Sequence, residues 1–379
     1  MVLELKVAVL GCGAVGSLTV KRLASTGRFA EVVAVDVNPQ LIEELGRVEG
    51  VSAVKLDVSD EEALRRLLKD VDLACEALPG RLGFKAMETA VIAGVNVVSV
   101  SYTPEDPFKL EEEAVRRGVL IVPDCGLAPG LSNVLAGRAS SLMDELLELH
   151  IKAGGLPSTP TPPLRHVSSW SIDDLLEEYT RRARMVKGGK VVEIDPLSSY
   201  EVLAIPGLGV FECFCTDGLR TLLRTLKARD MDEKTIRQRG HIATVKALVE
   251  CGLLMDEPLR IDGVEVEPRR VLKALLARAW RGFEEDLLIL LVEALGLTKQ
   301  GKAKLCFSLV GQGAKPSPLL KATASTFFHF TSMVAEGLLK GEGIYPPERL
   351  GMDPNLYEEF STRLRRDGLM VEESWATAA

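Results

Sequence analysis

Residues 7–16 read VAVLGCGAVG, an apolar run that ends in three glycines spaced G-x-G-x-x-G. The run predicts a strand and the following SLTVKRLA a helix, with Gly11, Gly13 and Gly16 making the turn between them. Gly11 permits the tight turn, Gly13 leaves room for a pyrophosphate, and Gly16 lets helix and strand pack closely. The start of the helix, at Ala14 and Val15, offers free amides and a partial positive charge to phosphate oxygens. A second run, EVVAVD (31–36), closes the unit with Asp36, twenty residues after Gly16. A carboxylate there accepts ribose hydroxyls and repels a 2′-phosphate, so the expected cofactor is NAD, with NADP less favoured.

Working outward, further strands are expected at 53–57, 72–78, 96–102 and 119–124, with helices between them. Asn38 before Pro39 and a capping box from Ser59 to Glu62 mark two helix starts. This βαβ cadence implies a doubly wound parallel sheet of Rossmann type. Asp57 and Val58 fall where an adenine sits in such folds, and Leu78 and Pro79 on the nicotinamide path, although Asp57 reads equally well as a turn residue.

The chain has 379 residues, 46% hydrophobic and 26% charged, with a formal charge of -8. That length bears two domains. The acidic balance, without a basic tract, argues against nucleic acid and for a small-molecule partner. No apolar run is long enough to span a membrane, and the N-terminus runs straight into a strand, so the chain is expected to start at Met1 without a signal segment. Seven cysteines without framework spacing suit reduced thiols in a cytoplasm. The four histidines form no ligand set, and no metal is expected.

After the segment APGLSNVLAGRASSLMDEL the texture changes. An alternating strand (LELHIKAGGLP), a proline-rich loop and a helix at SIDDLLEEYTRRAR precede strand candidates at 190–195, 200–205, 209–217, 234–240 and 260–268, the last with an Asp262-Gly263 hairpin turn. Two more, LLILLVEAL and AKLCFSLVG, bracket GLTKQGK. These imply a second, α+β domain with a mixed or antiparallel sheet. From Pro318 the chain returns to helix.

GLAPGLSN (126–133), GGLP (154–157), PPL (162–164), WSIDDLLEEYT (170–180), TDGLRTL (216–222) and KTIRQRGH (234–241) occur in an order that resembles the saccharopine dehydrogenase superfamily. Within it the chain looks most like the L-lysine 6-dehydrogenases. Ala128 in GLAPG and His241 in place of an aromatic depart from the saccharopine branch in that direction. The resemblance implies a Rossmann domain over 1–125, a substrate and dimerisation domain over 126–318, and C-terminal helices over 319–379 that pack back on the first domain. It implies oxidation of lysine at its ε-carbon, with NAD, to the semialdehyde and ammonia, in a homodimer. Saccharopine or carboxynorspermidine dehydrogenase is the enzyme alternative. A nucleotide sensor without turnover is the other, and it predicts an Arg237 that points to solvent.

Arg237 matches the family's arginine and is the expected clamp for a substrate carboxylate, since a guanidinium binds one bidentately. Strand alternation would put Arg239 on the same face and leave Lys234 to solvent. His241 could activate water because an imidazole titrates near neutrality, or it could simply cap the helix that follows. Asp124 could orient the substrate amine or cap its turn, and Tyr102 could hydrogen-bond substrate or pack under its loop. Trp170 could wall the pocket or belong to the core.

Overall fold

The computed structural model describes residues 3–168, 170–313 and 315–378, and of Leu3 the backbone alone. The chain divides into two compact units, residues 1–141 with 320–370, and residues 142–319 with 371–379.

In the first unit β1 (Leu3–Leu10), β2 (Phe29–Asp36), β3 (Val51–Lys55), β4 (Leu73–Glu76), β5 (Asn96–Ser99) and β6 (Leu120–Val122) alternate with helices. Val7, Ala8, Val9 and Leu10 of β1 are wholly buried. That continuous apolar run marks a parallel strand covered on both faces. Asn38 caps the helix Pro39–Leu45 by accepting from Gln40 N at 3.0 Å. Its neighbour Glu61–Leu68 is capped by Asp60, which accepts from Ala63 N at 3.0 Å. The expected Ser59–Glu62 box is therefore displaced by one residue, because the shorter carboxylate at 60 already reaches the free amide.

In the second unit β7 (Glu145–Leu156), β8 (Ala183–Lys187), β9 (Lys190–Ile194), β10 (Tyr200–Ile205), β11 (Gly209–Cys215), β12 (Asp230–Gln238), β15 (Leu287–Thr298) and β16 (Gly301–Gln312) share a mixed sheet. β13 (Leu259–Ile261) and β14 (Val264–Val266) form a separate hairpin, turned by Asp262 and Gly263, both at positive φ as such a two-residue turn requires. β12 runs parallel to β7 and antiparallel to β11. The close approach of β7 and β12 needs Gly154, where a Cβ would stand 2.7 Å from the Ile236 carbonyl oxygen.

Beyond the helix Pro318–Ala335, a two-residue strand, β17 (Gly343–Ile344), adds parallel to β6 and completes the first sheet in the order β17-β6-β5-β4-β1-β2-β3. Helices Pro347–Met352 and Pro354–Arg366 follow, and β18 (Glu372–Thr377) pairs antiparallel with β16. Two expected boundaries move accordingly. The helix Leu131–Ser141 belongs with the first unit, where Gly137 lies so close to Glu348 that a Cβ would meet the Glu348 carbonyl oxygen at 2.1 Å. The last residues are a strand of the second sheet rather than helix.

Candidate active site

The carboxyl edge of the first sheet carries the loop expected of a dinucleotide site. Gly11 has φ +89 and a Cβ there would meet the Ala77 carbonyl oxygen at 2.5 Å; one on Gly16 would meet the Gly11 carbonyl oxygen at 1.9 Å. At Gly13 a Cβ would meet nothing within 4 Å. Two glycines are thus demanded by the protein itself, and the third leaves an open approach at the start of the helix Ala14–Ser25. Ala14 is exposed and Val15 half-buried there. The loop therefore fits a dinucleotide pyrophosphate on its own geometry.

Asp36 ends β2, and its carboxylate accepts from Cys12 N at 2.7 Å and from Asn38 N at 2.8 Å. It fixes the loop and places a negative charge at its rim. Asp57 is exposed and accepts from Ser59 N at 2.9 Å, which is the turn reading of that residue. Val58 packs in the core beside Leu64 and Leu68. Leu78 and Pro79 are half-buried at the end of β4, and Pro79 precedes the helix Gly80–Ala93.

Sequence reasoning missed Glu76 between them. This buried carboxylate accepts from Ser99 Oγ and Ser101 Oγ, both at 2.5 Å, and from Leu78 N at 2.8 Å. It ties together the turns after β4 and β5. An acidic residue inside the apolar run DLACEAL was its only trace in the sequence. Tyr102 follows those serines and is half-buried. Asp124, after β6, is buried and held at φ 57, a left-handed conformation uncommon outside glycine. Tyr102 and Asp124 thus sit on the same sheet edge as the glycine loop, within the first unit.

In the second unit β12 alternates Glu233, Thr235 and Arg237 on one face with Asp232, Lys234, Ile236 and Gln238 on the other. Arg237 is 2% exposed. One terminal nitrogen, Nη2, pairs with Glu178 of the helix Ile172–Thr180, and Nη1 donates to the Ile236 carbonyl at 3.0 Å. Its Nε has no partner among the described residues. β12 ends at Gln238, so Arg239 falls in the following turn and is exposed. Alternation does not carry past the end of a strand, and the expected second arginine contact on that face is absent. Lys234 is not left to solvent either: it pairs with Glu201 at 2.9 Å and is largely buried.

His241 is fully buried at the first position of the helix His241–Glu250. It caps nothing. Glu212 instead accepts from Ile242 N at 2.6 Å, bringing a carboxylate to the helix N-terminus from the neighbouring strand. His241 Nδ1 lies 2.7 Å from the Leu164 carbonyl oxygen and Nε2 lies 2.9 Å from the Tyr179 hydroxyl. The carbonyl can only accept, so Nδ1 carries a proton, and in the neutral ring Nε2 accepts from the phenol. Burial first, then the Arg237 charge, pushes its pKa down to about 3. The expectation of a group titrating near neutrality thus fails on burial.

The Arg237 charge also acts on the Tyr179 phenol, which in turn meets the His241 imidazole, so guanidinium, phenol and imidazole lie in one buried neighbourhood. Trp170 is half-buried and packs beside the core cluster of Leu175, Tyr179 and Trp280. Below Arg237, Glu233 accepts from Thr216 Oγ1, and burial raises its pKa to about 8. Asp217 is taken up by Arg184 at 2.7 and 2.8 Å. Among the described residues no three His, Cys, Asp or Glu side chains gather in a group that could hold a metal ion, and no helix is long and apolar enough to cross a membrane.

Residues 7–122 match the family model described as the saccharopine dehydrogenase NADP binding domain, and residues 126–369 match that of the saccharopine dehydrogenase C-terminal domain. The chain belongs to the saccharopine dehydrogenase family. It is 29% identical over 304 residues to the saccharopine dehydrogenase [NADP(+), L-glutamate-forming] of Saccharomyces cerevisiae, covering 74% of this chain and 66% of that protein. With the mitochondrial alpha-aminoadipic semialdehyde synthase of Mus musculus it shares 26% over 275 residues, which is 66% of this chain and 29% of the relative. The chain therefore spans less than two thirds of the length of these curated relatives. The solved apo structure of saccharopine dehydrogenase (L-Glu forming) from Saccharomyces cerevisiae superposes with a TM-score of 0.78, over 98% of this chain and all of that one, at 21% identity. That likeness establishes the family's two-part fold for this chain.

Proposed function

We propose that this family member is a nicotinamide-dependent dehydrogenase acting on a carbon–nitrogen bond of a basic amino acid, with L-lysine oxidised at its ε-carbon. The observation that carries the reading is Arg237. It is a buried guanidinium with one edge on Glu178 and its Nε unpartnered, in a chain whose other unit offers an open dinucleotide loop. The sensor alternative requires this arginine at the surface, and its burial speaks against that alternative.

The nicotinamide, when bound, would accept the hydride. Gly11 to Gly16, with Ala14 and Val15, would hold its pyrophosphate, and Asp36 would meet the ribose. Because a carboxylate opposes a 2′-phosphate, we take NAD as the preferred form. The names of the family model and of the yeast relative carry NADP, so both cofactors belong in the assay.

On the substrate side Arg237 would bind the carboxylate. Hydride loss from the ε-carbon requires a neutral amine, and the resulting imine is then attacked by water to give semialdehyde and ammonia. Asp124 and Tyr102 are the candidates to orient amine and water. His241 serves this scheme as the acceptor that aims the Tyr179 hydroxyl, not as the base.

Saccharopine is the second reading, favoured by the relatives' names. Of the three cations between 234 and 241, Lys234 is committed to Glu201 and Arg239 is exposed, while Arg237 is paired with Glu178 through Nη2 and keeps only its Nε edge for an anion. That supply suits a substrate with one carboxylate better than saccharopine with three. Reduction of NAD and NADP with L-lysine and with saccharopine tests the proposal. Turnover of lysine with NAD supports it; turnover confined to saccharopine transfers the assignment, and none with either amine returns the sensor. A homodimer is part of the proposal, and sedimentation of the full chain checks it.

A further inference from the structure

His166, in the loop between β7 and the helix Ile172–Thr180, is fully buried, and neither ring nitrogen has a hydrogen-bond partner among the described residues. A neutral imidazole carries one N–H and one lone pair, and burying both unpaired costs stability. It is not alone. Trp280, 4% exposed, leaves Nε1 unpartnered, and so does Arg237 with Nε. The His166 and Trp280 rings meet edge-on with centroids 6.0 Å apart, and His166 stands 5.4 Å from the His241 ring. Burial, then the Arg237 charge, holds the His166 pKa well below 6.5, so the ring is neutral.

The chemistry of this set is selective. An indole N–H and a guanidinium N–H donate and cannot ligate a metal, and the imidazole contributes a third N–H. The His166 imidazole meets the Trp280 indole edge-on and feels the Arg237 charge, so the three N–H donors share one buried neighbourhood, with Glu178 holding Nη2 of Arg237 and the Glu285 carboxylate also acting on that guanidinium. A carboxylate, with two oxygens and about four lone-pair directions, completes such a set, and charge-assisted bonds are the strong ones. We propose that His166 and Trp280 Nε1, together with the Nε edge of Arg237, form the subsite that receives the substrate's α-carboxylate. This rests on the reading of Arg237 as the carboxylate clamp and adds two residues to it. It also accounts for three buried orphans at once, as groups held unpaired until substrate arrives.

The test uses L-norleucine, which has the amino-acid head and no ε-amine, and L-norleucinamide, which lacks the carboxylate. Binding is measured by calorimetry on the full chain with NAD present. Norleucine should bind, with the amide at least about tenfold weaker. Trp280→Phe and His166→Phe should each weaken norleucine by roughly tenfold, and the loss in lysine oxidation should fall on KM rather than kcat. Because His166→Phe removes an unsatisfied group, its Tm should hold or rise. His166→Gln, which keeps a donor, should recover part of the affinity, and with Trp280→Phe it decides the matter if the phenylalanine variant does not fold. Norleucine affinity within about twofold of the parent in these variants, or no binding to the parent at all, overturns the subsite, and a trapped water then satisfies the three groups. If norleucine binding depends on His166 while lysine is never oxidised, the subsite stands and the proposed reaction falls. Lysine oxidation with KM unchanged in both variants has the opposite meaning.

Discussion

Glu233 sits four residues before Arg237 on the same face of β12, bonded to Thr216 and buried deeply enough that its carboxyl titrates near 8 rather than 4.5. A group that holds its proton more tightly when folded contributes stability fully below the unfolded pKa and loses it as pH rises through the folded one. Stability from Glu233 should therefore decline between about pH 4.5 and pH 8. Glu233→Gln removes that slope, and its Tm relative to the parent should be higher at about pH 9 than at about pH 5. Parallel Tm curves for the two proteins would contradict this. His241 gives the opposite case. With its pKa near 3, it should stay neutral and Nδ1-protonated at about pH 5 in an imidazole NMR titration, where an ordinary histidine is charged. Tyr179→Phe removes the donor to Nε2, and the Nε2 resonance should shift while Nδ1 is unchanged.

The glycine loop separates binding from folding within one element. Gly13→Ala puts a methyl into open space, so its stability should stay within about 0.5 kcal/mol of the parent while NAD affinity falls, by thermal denaturation and calorimetry respectively. Gly16→Ala drives a Cβ to 1.9 Å from a backbone oxygen that cannot step aside, and should cost about 1–3 kcal/mol or more. Equal stability of the two variants would contradict the division of roles. Asp36→Ser should lower kcat/KM for NAD and raise it for NADP. This loop was legible in the sequence because its chemistry is local: strand, glycines, helix and acid lie within thirty residues. Arg237 was singled out by the order of family motifs, and its role as a clamp is a proposal. Arg239 and Lys234 were misread because strand alternation was carried past Gln238 on one side, and because Glu201, which claims Lys234, comes from another strand. His166 left no signal, and Glu76 left only an acid inside an apolar run. What makes each notable is burial and the presence or absence of partners, and both are set by residues far away in the chain.

At the scale of the molecule, the two units divide the work. The first is a parallel sheet whose carboxyl edge gathers Gly13, Asp36, Glu76, Tyr102 and Asp124; the second is a mixed sheet whose strand β12 carries Glu233, Thr235 and Arg237. The chain passes between them three times, after residues 141, 319 and 370, with β17 back in the first sheet and β18 in the second. The late residues were read as helix because LLKATASTFFHFTSMVAEGLLKG is strongly helical, and the short strand after it pairs only through the distant β16. Removing 371–379 should expose the edge of β16 and lower the Tm of the second unit, without loss of NAD binding by the first. The central claim concerns which nitrogen leaves. Incubation of the full chain with NAD and lysine labelled with 15N at the ε-amine, followed by NMR of the products, reads it directly. The account predicts labelled ammonium appearing in step with NADH; no ammonium from lysine, with glutamate released from saccharopine under the same conditions, would contradict it.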